Sequence, residues 1–425
     1  MHIGDIVLLS TGDRDVIDHI SHYRDRFYIP YRNDRECLYF CGNSLGLQPK
    51  AAKGYLLEEL DKWRNQGVDG HFAGRRPWKD FHEPFAPHFA QLVGAGLREV
   101  VCMNSLTVNL HLLMVSFFRP TTKRHKLIME KSAFPSDRYA VESQMRFHGL
   151  DPDSSLIEVG PRSDESLIRN EDLAAAIQEC GDELCLVLLP GVQYLSGQVL
   201  DIPMLTAEAH AVGAIAGWDL AHAAGNIPLQ LHDWNVDFAV WCTYKYLNGG
   251  PGAVAGAFVH ARHGDDGADT PRFAGWWGHD KQRRFKMESE FHPIPGAEGW
   301  QISNPPVLGM AALLASLEMF SEVGMPALRR KSVALTGYLE TLLTSEIRDA
   351  VEILTPTDPN QRGCQLSLRL RDGARVGRRV FERLGAAEII CDWREPDVVR
   401  VAPTPLYNRF SEVERFVELL TDALK

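Results

Sequence analysis

Between residues 212 and 260 the sequence reads VGAIAGWDLAHAAGNIPLQLHDWNVDFAVWCTYKYLNGGPGAVAGAFVH, and this stretch constrains the fold more than any other. Three short apolar runs, 212–218, 236–242 and 253–259, are separated by segments rich in Gly, Pro, Asp and Asn. Runs of that length between turn formers read as buried strands. Asp219 follows the first run, His222 comes three residues later, and Tyr244 and Lys245 lie just past the second, ahead of a Gly-rich segment at 248–252. In open α/β sheets ligands lie off the carboxyl ends of strands. The predicted site therefore holds an acid, an imidazole, a phenol and an amine.

One lysine and one carboxylate off neighbouring strands suit pyridoxal phosphate. The amine condenses with the cofactor aldehyde, and the carboxylate keeps the pyridine nitrogen protonated so that the ring draws electrons. Glycines behind the lysine let the backbone approach the ring closely. Taken singly, Asp219 is a helix cap and Lys245 a solvated loop lysine. That plainer reading has to explain both residues at matching strand ends. Asp219 and His222 also form an Asp-x-x-His pair, but no further ligand cluster accompanies it, so no metal is expected.

The flanking sequence alternates strand and helix. Strands are predicted at 126–130, 155–159 and 184–190, with helices at 170–180 and 202–212, the rhythm of a mostly parallel α/β sheet flanked by helices. A helix is predicted over 50–66, and residues 13–26 are helix-like. A short strand at 100–103 leads to a helix whose apolar face carries Leu110, Leu113, Met114 and Phe117. Ser105, Leu106 and Thr107 fall at its start, where free N–H groups and the helix dipole favour an anion such as phosphate. A Ser/Thr N-cap with no ligand is the commoner use of such residues. Helices over 307–338 join at 324–326. Strands at 365–370, 388–392 and 398–402, with helices at 376–384 and 411–424, then make a smaller α+β C-terminal domain. For 425 residues this predicts an N-terminal segment 1–40, a large domain 41–310 and a small domain 311–425.

A net charge of -11 at pH 7 argues against a nucleic-acid partner, which demands basic patches. The eight cysteines include no CxxC pair, so reduced thiols are expected. No apolar run approaches a membrane span, and MHIGDIVLLSTGDRD lacks a signal-peptide pattern. A cytoplasmic protein without a membrane partner is the expectation.

The runs DLAHAAGN and TYKYLNGGPG, with FCGNSLGLQP, MNSLTVNLHLLMVSFFRPT, AFPSDRYA, GWWGH, ISNPP and RVAPTPLYN, resemble the kynureninase family. The matches spread from about residue 40 to about residue 410. The resemblance implies a pyridoxal phosphate enzyme of fold type I, with its large sheet domain, and a homodimer whose site lies at the subunit interface. It implies Lys245 as the cofactor lysine and Asp219 as the partner of the ring nitrogen, with His222 beside them. Tyr244 would bind phosphate and assist proton transfer, although a phenol near pKa 10 needs lowering to act as a base. Leu106 and Thr107 correspond to phosphate contacts, and Phe134, Ser136 and Asp137 to a segment lying against the cofactor. The Trp276 indole would reach the phosphate. Ser44 and Arg400 would meet the substrate carboxylate, Arg400 through two parallel hydrogen bonds. His71 would face the substrate's aromatic ring, and Ser303 and Asn304 would come from the interface segment.

The implied reaction is hydrolysis of an L-kynurenine-type amino acid to an anthranilate and L-alanine. His71 and Asn304 together offer hydrogen bonds to a ring hydroxyl, so the resemblance implies 3-hydroxykynurenine over kynurenine, in quinolinate and NAD synthesis. Two alternatives stand beside it. An aminotransferase or cysteine desulfurase of the same fold would share Asp219 and Lys245, but a desulfurase needs a nucleophilic Cys in a flexible, basic loop. A catalytically silent binding module is opposed by the presence of Asp219, Tyr244, Lys245 and Arg400.

Overall fold

The computed structural model describes residue 15 and residues 18–264, 270–371 and 373–425. The predicted helix-like segment 13–26 lies partly outside the described residues, as does most of the MHIGDIVLLSTGDRD segment read above as lacking a signal peptide. Within that segment the structure has a 3-10 helix at Ser21–Arg26.

Seven strands form the central sheet in the spatial order Val100–Cys102, Gly256–Val259, Phe238–Trp241, Ile215–Asp219, Leu184–Pro190, Lys126–Glu130 and Leu156–Val159. All run parallel except Gly256–Val259, which is antiparallel to both neighbours. The central strands show no polar alternation because helices cover both faces of the sheet. Phe238–Trp241 is buried throughout, and Leu184–Pro190 is buried along all but its last residue. On one side Trp218, Trp241 and Phe89 pack with Leu314 and Leu317 of helix Val307–Val323. On the other, Leu110 and Phe117 pack with Phe238 and Trp300.

The strands are shorter than the apolar runs that announce them. Val212 caps the helix Ile202–Ala211 and Gly213 turns with φ 75°, so the strand begins only at Ile215 and ends on Asp219. Gly217 is required by close packing: a Cβ there would collide with the Phe238 ring on the neighbouring strand.

The second sheet is antiparallel, in the order Val351–Ile353, Leu366–Leu370, Val398–Val401 and Asp392–Arg394. The predicted strand 388–392 divides in two. Ile389–Ile390 pairs in parallel with Leu38–Tyr39, while Asp392–Arg394 joins the small sheet. The expected domain boundary at 310/311 falls inside helix Val307–Val323. Met310, Leu313, Leu314, Leu317 and Phe320 pack into the large core, whereas Ala334 and Leu335 belong to the small one. Apolar continuity therefore carries the large unit past residue 320. Of the described residues in the expected N-terminal segment, Tyr23, Phe27 and Tyr39 enter the large core and Phe40 the small one.

Replacing Gly217 by Ala is expected to lower stability by about 1–3 kcal/mol in urea unfolding, because the Phe238 ring must move out of a filled core. An unchanged unfolding midpoint would show that the ring has room to shift.

Candidate active site

Three parallel strands end at one cavity. Glu130, Pro190 and Asp219 are their last residues, and all three line it. Leu106 and Thr107, at the start of helix Leu106–Phe117, line it as well, with Phe134, Ser136 and Asp137 from the next strand-to-helix turn. His222, Tyr244, Lys245 and Tyr194 complete the wall. Nine of the residues named from the sequence thus surround one space, because every strand of a parallel sheet delivers its carboxyl end to the same edge.

The loop bearing Lys245 is held by close backbone contact. Gly46 donates its N–H to the Tyr244 carbonyl at 2.8 Å, and a Cβ on Gly46 would strike the Lys245 carbonyl oxygen. The Lys245 Nζ lies 2.9 Å from His222 Nε2. His222 is buried, and burial together with the charges of Lys245, Arg400 and Arg394 holds its pKa well below the usual imidazole range. The ring is therefore neutral and accepts a hydrogen bond from the amine.

Asp137 and Asp219 face each other across the cavity floor. Burial pushes both carboxyls above their usual range, and the charge of Asp219 raises Asp137 further. The arrangement that satisfies both is one proton between them, carried by Asp137 and donated to Asp219. Asp219 Oδ1 also accepts the Ala221 N–H at 2.6 Å. Asp137 Oδ1 is buried without a partner. Burial, reinforced by the charge of Asp219, pushes Glu130 up to about 8.

These residues fit pyridoxal phosphate. The acid pair matches a protonated pyridine nitrogen, and Lys245 supplies the amine. At the opposite end Ser105 makes no side-chain cap, which leaves the first-turn N–H groups of helix Leu106–Phe117 for a phosphate. The Thr107 and Ser136 hydroxyls sit there 2.8 Å apart. Phe134 is partly exposed, with its ring centroid 5.8 Å from Lys245 Nζ, in place to cover a flat ring. Burial pushes the Tyr244 phenol above its ordinary value. The sequence left open a role for Tyr244 as a base; the environment makes it a proton-bearing donor instead.

Arg400 is fully buried on strand Val398–Val401. Its Nη1 donates to the Tyr194 carbonyl at 2.6 Å, and its Nη2 donates to Ser44 Oγ at 3.2 Å and to Asp392. Ser44 Oγ also donates to Asp392. The predicted Ser44–Arg400 pair is thus assembled, joined to the cavity wall through Tyr194.

Besides Ser44 and Arg400, which reach the wall only through Tyr194, four named residues lie off the cavity formed by one chain. His71 packs edge-on against Trp78, with ring centroids 5.3 Å apart. The Trp276 indole donates to the Arg284 carbonyl at 3.0 Å instead of reaching the phosphate end. Ser303 and Asn304 are exposed in the segment before helix Val307–Val323. Each sits on a loop that the chain's own sheet does not carry to the cavity.

Glu130, Tyr194 and Asp392 were not anticipated. Glu130 had a signal, an acid closing an apolar strand run. Asp392 had none, since only its pairing with Arg400 eight residues on gives it meaning.

In the cofactor-free protein the raised pKa of Glu130 has a definite sign. The folded state binds a proton that the unfolded chain releases above about 4.5, so stability falls as pH rises toward about 8. Glu130→Gln is expected to gain on the wild type by up to about 1.4 kcal/mol per pH unit across that window in urea unfolding. A pH-independent difference would contradict the assignment.

Comparison with known proteins agrees with the geometry. Residues 328–420 match the family model described as the kynureninase C-terminal domain. The chain is 54% identical to a kynureninase of Xanthomonas campestris pv. campestris (strain B100) over 95% of both chains. It is 53% identical to a kynureninase of Koribacter versatilis (strain Ellin345), covering 96% of this chain and 95% of the relative. Among solved structures, a cysteine desulfurase from Escherichia coli superposes with a TM-score of 0.77 at 16% identity, over 96% of this chain and 98% of its own. At that identity the likeness concerns the fold, which is the type I fold of pyridoxal phosphate enzymes. The chain belongs to the kynureninase family, pyridoxal phosphate enzymes that hydrolyse kynurenine.

Proposed function

We propose that the chain hydrolyses L-3-hydroxykynurenine, and L-kynurenine less well, to 3-hydroxyanthranilate or anthranilate and L-alanine. It does so as a cytoplasmic homodimer, in tryptophan degradation and NAD synthesis through quinolinate. The observation that carries the catalytic part is the Lys245 amine, held against a neutral His222 in a cavity whose floor is the Asp137–Asp219 acid pair.

Pyridoxal phosphate, when bound, supplies an electron-withdrawing ring that stores the pair released at the substrate's Cα. Asp219 holds the negative charge that keeps the ring nitrogen protonated, and Asp137 holds the shared proton. Lys245 removes the Cα proton and returns it, with His222 able to relieve the ammonium because it stays neutral. Tyr244, Thr107, Ser136 and the backbone at Leu106 orient the phosphate. Phe134 shields one face from water. Arg400 and Ser44 fix the substrate carboxylate, which directs the side-chain carbonyl toward the attacking water before the Cβ–Cγ bond breaks.

The dimer is supported by an exposed aromatic patch. Phe285 lies 5.8 Å from Phe72 and 5.5 Å from Trp276, centroid to centroid, and all three rings are about half exposed. Such a patch favours burial against a partner. His71 adjoins it in the chain, so His71, Trp276, Ser303 and Asn304 are assigned to the partner's cavity. The preference for the hydroxylated substrate rests on His71 and Asn304, two side chains suited to a ring hydroxyl.

Lys245→Ala is expected to lose the visible absorbance of the linked cofactor and all detectable release of fluorescent anthranilate. An enzyme that keeps both would defeat the catalytic reading. The kcat/KM for 3-hydroxykynurenine is expected to exceed that for kynurenine by about tenfold or more, the worth of one to two hydrogen bonds; a preference for kynurenine would overturn the substrate assignment.

A further inference from the structure

Arg400 is the arginine expected to take the substrate carboxylate, yet it has no free edge for one. A guanidinium binds a carboxylate through two parallel N–H groups, either Nη1 with Nη2 or Nε with Nη2. Both edges use an Nη2 hydrogen. Here the two Nη2 hydrogens go to Asp392 and Ser44, and Nη1 gives one to the Tyr194 carbonyl. What remains is Nε–H, buried and unpartnered, and one hydrogen on Nη1. Those two lie on different edges.

An acceptor must therefore leave Nη2 before substrate can bind in the two-bond geometry. Asp392 is the one that resembles the incoming group. It is a carboxylate on the same nitrogen, and its negative charge would repel a second carboxylate there. It also has somewhere to go. Its Oδ2 already accepts from Arg394 Nη2 at 3.0 Å. The Arg394 Nε is buried and unpartnered, and it shares an edge with that Nη2. Arg394 thus presents a half-used two-bond edge beside the carboxylate that has to move.

We propose that Asp392 occupies the substrate carboxylate's place on Arg400 and passes to Arg394 when an α-amino acid binds. Asp392 and Arg394 are positioning residues: the first keeps the buried Arg400 charge paired and its side chain aligned, and the second receives Asp392. The exchange leaves every charge matched, because one carboxylate on two guanidiniums becomes two on two. Ligands without a carboxylate leave Asp392 where it is. The inference rests on the reading of Arg400 as the carboxylate site of a kynurenine-hydrolysing enzyme.

The test uses the holoenzyme and follows cofactor absorbance as L-alanine or ethylamine is added. Asp392→Asn keeps the shape and removes the competing charge, so it is expected to bind L-alanine about tenfold more tightly with ethylamine unchanged. Arg394→Ala leaves Asp392 no second partner and is expected to weaken L-alanine binding about tenfold, again without effect on ethylamine. In the double variant the cost of losing Arg394 should vanish, since no carboxylate remains to relocate. Weaker or unchanged L-alanine binding in Asp392→Asn would overturn the proposal, as would an Arg394 effect that persists undiminished in the double variant. If Asp392→Asn fails to fold, an Arg394→Ala enzyme with unaltered L-alanine affinity overturns it equally. Anthranilate release by the wild type, measured in parallel, reports separately on the underlying activity.

Discussion

The site depends on two carboxyl groups that cannot both be charged. Asp137 and Asp219 are buried together at the carboxyl edge of the parallel sheet, and burial alone pushes each toward its neutral form. Burial outweighs the pull of the nearby Lys245 on both, and facing each other they settle on one proton, an arrangement suited to a ring N–H placed against Asp219. Glu130 sits behind them with its own pKa raised to about 8, so it adds little negative charge near neutrality. The opposite wall is arranged to the same end. His222 is kept neutral by burial and by three nearby cations, and it leaves the Lys245 amine a single uncharged neighbour at hydrogen-bond distance. Acid floor and amine wall line the same cavity, and each is costly to maintain unless something between them links the two.

A second electrostatic centre sits where the two cores meet. Arg400 belongs to the small sheet, Ser44 to the segment crossing between the cores, and Tyr194 to the large unit. One buried guanidinium therefore joins three parts of the chain. A buried arginine with one carboxylate removed would be strongly destabilising, so Asp392 has a structural duty whether or not substrate is present. That duty and a place in carboxylate binding are compatible only if the side chain has two partners, and Arg394 is the second.

Much of this was legible in the chain because the informative residues sit beside strand ends. Asp219, His222, Tyr244 and Lys245 fall within one stretch, and the apolar runs around them mark the sheet edge. Phe134, Ser136 and Asp137 follow the Lys126–Glu130 strand in the same way. What escaped depends on pairing across the fold. The opposition of Asp137 to Asp219 spans two loops, and the role of Asp392 appears only when its strand lies beside Arg400. The 307–323 helix, within which the expected domain boundary falls, is apolar over most of its surface, so its sequence does not say which core it joins. His71, Trp276, Ser303 and Asn304 lie away from the cavity for a related reason: the sheet of the chain does not carry their loops to its carboxyl edge.

The central claim is that Lys245 carries the cofactor. Borohydride reduction of the holoenzyme, followed by digestion and mass mapping, reads this directly by fixing the linked cofactor on its lysine. The account predicts a pyridoxyl group on the peptide containing Lys245 and on no other. A pyridoxyl group on a different lysine, or none on a protein that has bound the cofactor, would contradict it.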